Sequence, residues 1–117
     1  MQDDTGLLCW KFQKYVLITE PPLIAPFSFG TESVNEGDFV QVTCNVMRGE
    51  MPLSISWSLE GDVISSEPAI TTTMIGTRTS ILMISSVGYR HSGKYTCIAK
   101  NSAGISFEST QLKVNGL

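Results

Sequence analysis

From Leu23 onwards, hydrophobic and polar residues alternate in short runs separated by turn-forming residues, a pattern typical of β-strands. Successive side chains of a strand point to opposite faces, so each run divides into two sets. Residues 39–47 divide into Val40, Val42, Cys44 and Val46 on one face and Phe39, Gln41, Thr43, Asn45 and Met47 on the other. Residues 53–59 divide into Ile55, Trp57 and Leu59 against the serines Ser54, Ser56 and Ser58. We expect the apolar sets to form a core and the serine face to be solvated.

Further runs rich in Val, Ile, Thr, Phe and Tyr predict strands at residues 23–29, 70–75, 80–85, 94–100 and 105–114. The first should be an edge strand, because Pro26 has no backbone N–H to donate to a ladder. Asn101-Ser102-Ala103-Gly104 is a predicted hairpin turn between the last two. Helical periodicity is missing and 117 residues leave room for one core. The sequence therefore predicts a single all-β domain.

The first residues of the chain do not continue this pattern. Residues 1–20 precede Pro21 and Pro22, and two consecutive prolines favour an extended linker. We predict a leader over residues 1–20 that does not belong to the domain, and a domain over residues 21–117. The alternative is that Tyr15-Val16-Leu17-Ile18 adds a strand.

Composition and charge exclude several classes of function. Hydrophobic residues make up 42% and charged residues 16%, as in a folded domain. A net charge of -3 provides no positive field for nucleic acid or anionic lipid, so we expect neither as a partner. No apolar run is long enough for a membrane-spanning helix, so we expect no direct membrane contact. The one histidine, His91, has no nucleophile or carboxylate at a diagnostic spacing, so we expect no enzyme, no cofactor and no metal.

Two cysteines and two aromatic residues form a characteristic set. Cys44 faces inward in mid-strand, Trp57 follows on the next strand, and Tyr95-Thr96-Cys97 closes the set. This order resembles the immunoglobulin sandwich, in which two sheets pack about 10 Å apart. The resemblance implies an inter-sheet disulfide between Cys44 and Cys97, covered by Trp57, and a Tyr95 hydroxyl bound to backbone near the preceding turn. Two unpaired thiols in a cytosolic protein remain the alternative, and Cys9 is expected to be a free thiol.

Three further segments resemble the intermediate set (I-set) of immunoglobulin domains found in cell-adhesion receptors. These are Ser80-Ile81-Leu82-Met83-Ile84, Ser92-Gly93-Lys94-Tyr95-Thr96-Cys97 and Asn101-Ser102-Ala103-Gly104. The resemblance implies a two-sheet antiparallel sandwich with Leu82, Trp57 and Tyr95 in its core.

More narrowly, residues 21–30 and 49–57 are similar to a variable domain of the arthropod Down syndrome cell adhesion molecule family. That likeness implies the extracellular part of a plasma-membrane receptor of neurons and immune cells, with secreted forms also expected. Alternatively spliced domains of this kind bind identical copies of themselves, in neuronal self-recognition and axon guidance. The implied partners are an identical domain, forming a homodimer, and neighbouring immunoglobulin domains in cis. A passive spacer in a receptor array is the alternative function.

One position departs from the I-set motif. The motif usually has Asp where this chain has His91, and that Asp commonly pairs with an Arg at the position of Arg78. We therefore expect His91 and Arg78 to be neighbours that lack the ion pair.

The alternation also predicts a binding surface. Leu82 and Ile84 occupy inward positions in the motif, so Ile81 and Met83 should point outward from the same sheet. The predicted homophilic interface consists of an apolar set, Met47, Ile81 and Met83, rimmed by Gln41, Thr43 and Asn45 and bordered by residues 71–73.

Overall fold

The computed structural model describes residues 20–30, 33–64 and 68–115, and the predictions for the leader, for an extra strand at residues 15–18 and for Cys9 lie outside them. The strands in chain order are β1 Leu23–Ile24, β2 Val34–Asn35, β3 Val40–Arg48, β4 Ser54–Leu59, β5 Asp62–Val63, β6 Ile70–Ile75, β7 Thr79–Ile84, β8 Gly93–Asn101, β9 Gly104–Leu112 and β10 Val114–Asn115. A 3₁₀ turn, Tyr89–His91, connects β7 to β8.

The strands form two antiparallel sheets and one short parallel pair. The first sheet has the order β1-β3-β7-β6 and the second the order β5-β4-β8-β9. Strand β10 pairs in parallel with β2, so the last strand predicted from the sequence is divided in two at Lys113. The prediction of an all-β, immunoglobulin-like two-sheet sandwich is confirmed.

The core lies between the two sheets, as the alternation predicts. Strand β3 buries every second residue from Val40 to Val46 and exposes those between. Leu82 and Tyr95 have no exposed surface and Trp57 is 2% exposed. The Trp57 indole N–H donates a 2.9 Å hydrogen bond to Ser80 Oγ, which satisfies its polar group inside the core.

The predicted strand over residues 23–29 is wrong in its length. Only Leu23–Ile24 pair with β3, and the Ala25 N–H adds one further bond, 2.9 Å, to the Asn45 carbonyl. Pro26 follows, and it has no N–H with which to continue the ladder.

Beyond Pro26, the chain packs two aromatic rings against the core. The Phe27 ring lies 5.6 Å from the Trp57 ring and the Phe29 ring 5.3 Å from the Tyr95 ring, both edge to face. Such pairs are favourable beyond the area they bury. Burial of these rings therefore replaces the missing ladder bonds.

The serine face of β4 is not solvated along its whole length. Ser54 and Ser56 are exposed, but Ser58 is only 6% exposed. Ser58 lies opposite Val63 on one side and Thr96 on the other, both with larger side chains. The prediction of a wet serine face is therefore wrong at Ser58, because neighbours on both strands cover it.

The predicted hairpin between β8 and β9 is present, and its first residue also holds the N-terminal segment. Asn101 Oδ1 accepts hydrogen bonds from the Ala103 and Gly104 N–H groups, which closes the turn. The Asn101 Nδ2 amide donates to the Glu20 carbonyl at 2.7 Å and to the Glu50 carbonyl at 3.1 Å. Residue 20 is therefore attached to the sandwich by the turn.

Gly49 allows the same segment to approach closely. Its φ is +121°, and a Cβ built there would lie 2.8 Å from the Pro22 Cα. Ser106 Oγ donates a 2.5 Å hydrogen bond to the Pro22 carbonyl from the other side. Only glycine fits at position 49 without moving this backbone.

Candidate recognition face

The disulfide joins the two sheets where the sequence predicts it. Cys44 on β3 and Cys97 on β8 are bonded, with a Cα–Cα distance of 6.4 Å, and neither has exposed surface. The Tyr95 hydroxyl, two residues before the second cysteine, donates a 2.6 Å hydrogen bond to the His91 carbonyl. The bridge and the tyrosine fix β3, β8 and the 3₁₀ turn relative to one another, and with them the outer faces of both sheets.

The outward-facing residues of β3, β7 and β6 share one surface, which we call the first face. It consists of Gln41, Thr43, Asn45, Met47, Thr71, Thr73, Ile75, Thr79, Ile81 and Met83. Cross-strand neighbours on one face of a sheet are in contact distance. The pairing therefore decides which of these side chains meet.

Register brings most of the predicted interface residues together. Met83 lies between Gln41 and Thr71, and the next row places Ile81 between Thr43 and Thr73. The two apolar side chains are half-buried and lie two residues apart on β7. They form the centre of the first face, flanked on both sides by uncharged polar groups.

Met47 belongs to the first face but not to this centre. It follows Asn45 by two residues, whereas Ile81 pairs with Thr43, so about 13 Å of strand separates the two apolar positions. Its side chain is 53% exposed. The predicted apolar set therefore consists of an adjacent pair, Ile81 and Met83, and of Met47, which lies apart from them on the same face.

Ile75 is a residue of the first face that the sequence analysis missed. It lies opposite Thr79, which in turn lies opposite Asn45, and it is 56% exposed. The sequence does indicate that Ile75 lies on this face, because Thr71, Thr73 and Ile75 occupy every second position of β6.

His91 and Arg78 are not neighbours, which overturns the expectation taken from the motif. Arg78 directly precedes β7 and donates a 2.7 Å hydrogen bond from Nη2 to the Gly49 carbonyl. His91 lies in the 3₁₀ turn beyond the other end of β7. The six residues of β7 separate the two side chains.

His91 caps the turn in which it lies. Its side chain is 2% exposed, and Nδ1 accepts a 2.7 Å hydrogen bond from the Gly88 N–H. We expect His91→Asp, which keeps an acceptor, to change the free energy of unfolding by less than about 1 kcal/mol. His91→Leu removes the acceptor and should cost about 1–3 kcal/mol. Urea denaturation of the two variants measures the difference, and a leucine variant as stable as the parent would show that this bond contributes nothing.

Among the residues that the structure describes, no helix is long and apolar enough to cross a membrane. Within the same ranges, His, Cys, Asp and Glu side chains nowhere gather in a group of three that could hold a metal ion.

Comparison with known proteins identifies the family to which this sandwich belongs. A family model described as an immunoglobulin domain matches residues 21–101. The chain belongs to the immunoglobulin domain family. These domains are not enzymes.

Among the relatives of this immunoglobulin domain are several cell adhesion molecules. It is 40% identical over 101 residues to the cell adhesion molecule Dscam1 of Drosophila melanogaster, and 40% identical over 100 residues to DSCAML1 of Homo sapiens. Each alignment covers 86% of this chain and 5% of the relative. The chain thus spans a small part of the length of these relatives.

Solved structures give the same relationship at the level of one domain. The Dscam1 Ig7 domain, isoform 5, is 45% identical, with a TM-score of 0.79 over 81% of this chain and 97% of that structure. For isoform 9 the identity is 41% and the TM-score 0.78, over 81% of this chain and all of that structure. The chain is a Dscam-like immunoglobulin domain.

Proposed function

We propose that residues 21–117 form an extracellular recognition domain of a cell-surface adhesion receptor, and that the first face binds the same face of a second copy. The proposal includes isoform-specific self-recognition in neurons, with a role in axon guidance, and a role in immune cells. It also includes alternative splicing of the domain and secreted forms of the receptor. It is supported by the adhesion molecules among the relatives. The observation that carries it is the apolar pair Ile81 and Met83 at the centre of an uncharged face.

The composition of the first face suits contact with an identical surface. None of its outward strand positions carries a charged side chain. A two-fold axis through the centre of the face brings the central residues against their own copies, so a charge at the centre would meet its like. An uncharged face with an apolar centre avoids this repulsion and still loses water on contact.

A passive spacer is the second candidate function. The turn residue Asn101 binds the Glu20 carbonyl and Ser106 on β9 binds the Pro22 carbonyl, which gives the domain a fixed attachment at this end. Such an attachment suits a rigid link between domains. A spacer, however, does not require the half-buried apolar pair on an outer face.

Sedimentation of this chain over a range of concentrations distinguishes the two functions. We expect a reversible dimer with a dissociation constant on the order of micromolar. A monomer at the highest concentrations would favour the spacer. Neighbouring immunoglobulin domains in cis remain proposed partners that this experiment does not involve.

A further inference from the structure

The outer face of the second sheet carries another exposed apolar cluster. Ile98 on β8 lies opposite Phe107 on β9, and Ile105 lies two residues before Phe107 on the same strand. Phe107 is 60% exposed and Ile105 is 51% exposed. These three neighbouring hydrophobic residues form an exposed apolar cluster, and contiguous apolar surface is a property of interaction sites. We call this surface the second face.

Strand β4, next to β8, contributes short side chains to the second face. Ser56 lies opposite Ile98, and Ser54 lies opposite Lys100. Both serines are exposed and much shorter than the side chains beside them. The short serine side chains of β4 therefore lie beside the longer apolar side chains of β8 and β9. Side chains of a partner can fill the space above the serines.

The second face is also positively charged, although the whole chain has a net charge of -3. Lys94 and Lys100 point outward from β8 and are exposed. Neither forms an ion pair with any residue that the structure describes. At the outward strand positions of β4, β8 and β9 there is no carboxylate; Glu108 occupies an alternate position opposite Cys97. At one end of the face, the Glu60 carboxylate accepts a 2.6 Å hydrogen bond from the Lys94 backbone N–H.

This charge distinguishes the second face from the first. Two copies meeting through the second face would bring lysines towards lysines without a carboxylate between them, and like charges across an interface oppose association. A carboxylate-bearing surface would instead be attracted to Lys94 and Lys100. We infer that the second face binds a protein other than a second copy of this chain, one that presents an apolar centre flanked by carboxylates.

The two faces lie on opposite sides of the sandwich, so one contact does not block the other. The first face belongs to β3, β7 and β6, the second to β4, β8 and β9. A copy engaged in self-recognition therefore keeps its second face accessible. The second contact does not depend on the proposed function of the first.

A matched pair of peptides tests the inference. Each is a disulfide-closed β-hairpin with the same valines and leucines on one face, flanked by glutamates in one peptide and by lysines in the other. We expect the glutamate hairpin to bind the 117-residue chain about tenfold more tightly than the lysine hairpin, at low ionic strength. Amide chemical shifts should change on β8 and β9.

Variants of the chain separate charge from apolar contact. Lys94→Glu together with Lys100→Glu should reverse the preference between the two hairpins, and Phe107→Ser should weaken binding of both. Ile81→Ser on the first face is the matched control and should leave both affinities unchanged. Equal affinity for the two hairpins, no binding of either, or shifts confined to β3 and β7 would each overturn the inference. Loss of self-association in Phe107→Ser would show that the occupant is a second copy, and would overturn it as well.

Discussion

The double substitution Cys44→Ala and Cys97→Ala lowers the free energy of unfolding by about 4 kcal/mol, because the disulfide closes a loop of 53 residues and restricts the unfolded chain. The two sheets are otherwise held by the packing of their inner faces. A loss of this size is a large part of the stability of a domain of this length. Thermal unfolding, followed by the fluorescence of buried Trp57, measures the loss.

Thiol counting on the unsubstituted chain provides the control. In denaturant without reductant we expect one reactive thiol, that of Cys9, because Cys44 and Cys97 are bonded. Three reactive thiols would contradict both the bridge and the proposed extracellular location. A double variant that melts at the temperature of the parent would show that packing alone determines the stability.

Met83→Lys abolishes self-association without unfolding the domain. Met83 is half-buried at the centre of the first face, next to Ile81, so a lysine there must lose water in the dimer. Both chains of a two-fold symmetric dimer carry the substitution, so the interface contains two lysines and loses the methionine contacts twice. We expect the dissociation constant to rise on the order of 100-fold. In the monomer, the lysine side chain can extend along the sheet to water, so stability changes little.

The matched control places the same charge on the opposite sheet. Thr96→Lys introduces a lysine on β8, where Thr96 pairs with Ser58 and Ser109. We expect this variant to dimerise like the parent in sedimentation. If Met83→Lys also dimerises like the parent, the first face is not the interface. If Thr96→Lys alone loses the dimer, self-association belongs to the second sheet.

The sequence predicts most of the framework because the decisive signals are local. The period of two over Val40 to Val46 places Cys44 inward whatever the neighbouring strands do. The same period fixes which side of β7 Leu82 and Met83 occupy. For this reason the inward and outward sets of the first sheet could be assigned without any knowledge of pairing.

Properties that depend on neighbours could not be predicted in this way. Ser58 is buried because of its cross-strand partners. The ladder of β1 ends before Pro26, and the residues beyond it pack aromatic rings against the core instead. The distance from His91 to Arg78 depends on the direction of β7, which the motif does not encode. The cluster around Phe107 follows from alternation, but the register of three strands is needed to show that no outward strand position beside it carries a carboxylate.

The parallel pair β2–β10 lies near both ends of the domain and has a geometry that bears on mechanical load. The Val34 backbone N–H donates a 2.9 Å hydrogen bond to the Lys113 carbonyl. The Asn115 side-chain amide Nδ2 donates a 3.1 Å hydrogen bond to Asn35 Oδ1. Tension between Glu20 and Asn115 pulls β2 backwards and β10 forwards along the same line. The bonds between them are then loaded together, in shear, rather than opened one after another. A pull on the two ends of the domain therefore has to break the hydrogen bonds of these two short strands at the same time before the strands can slide apart.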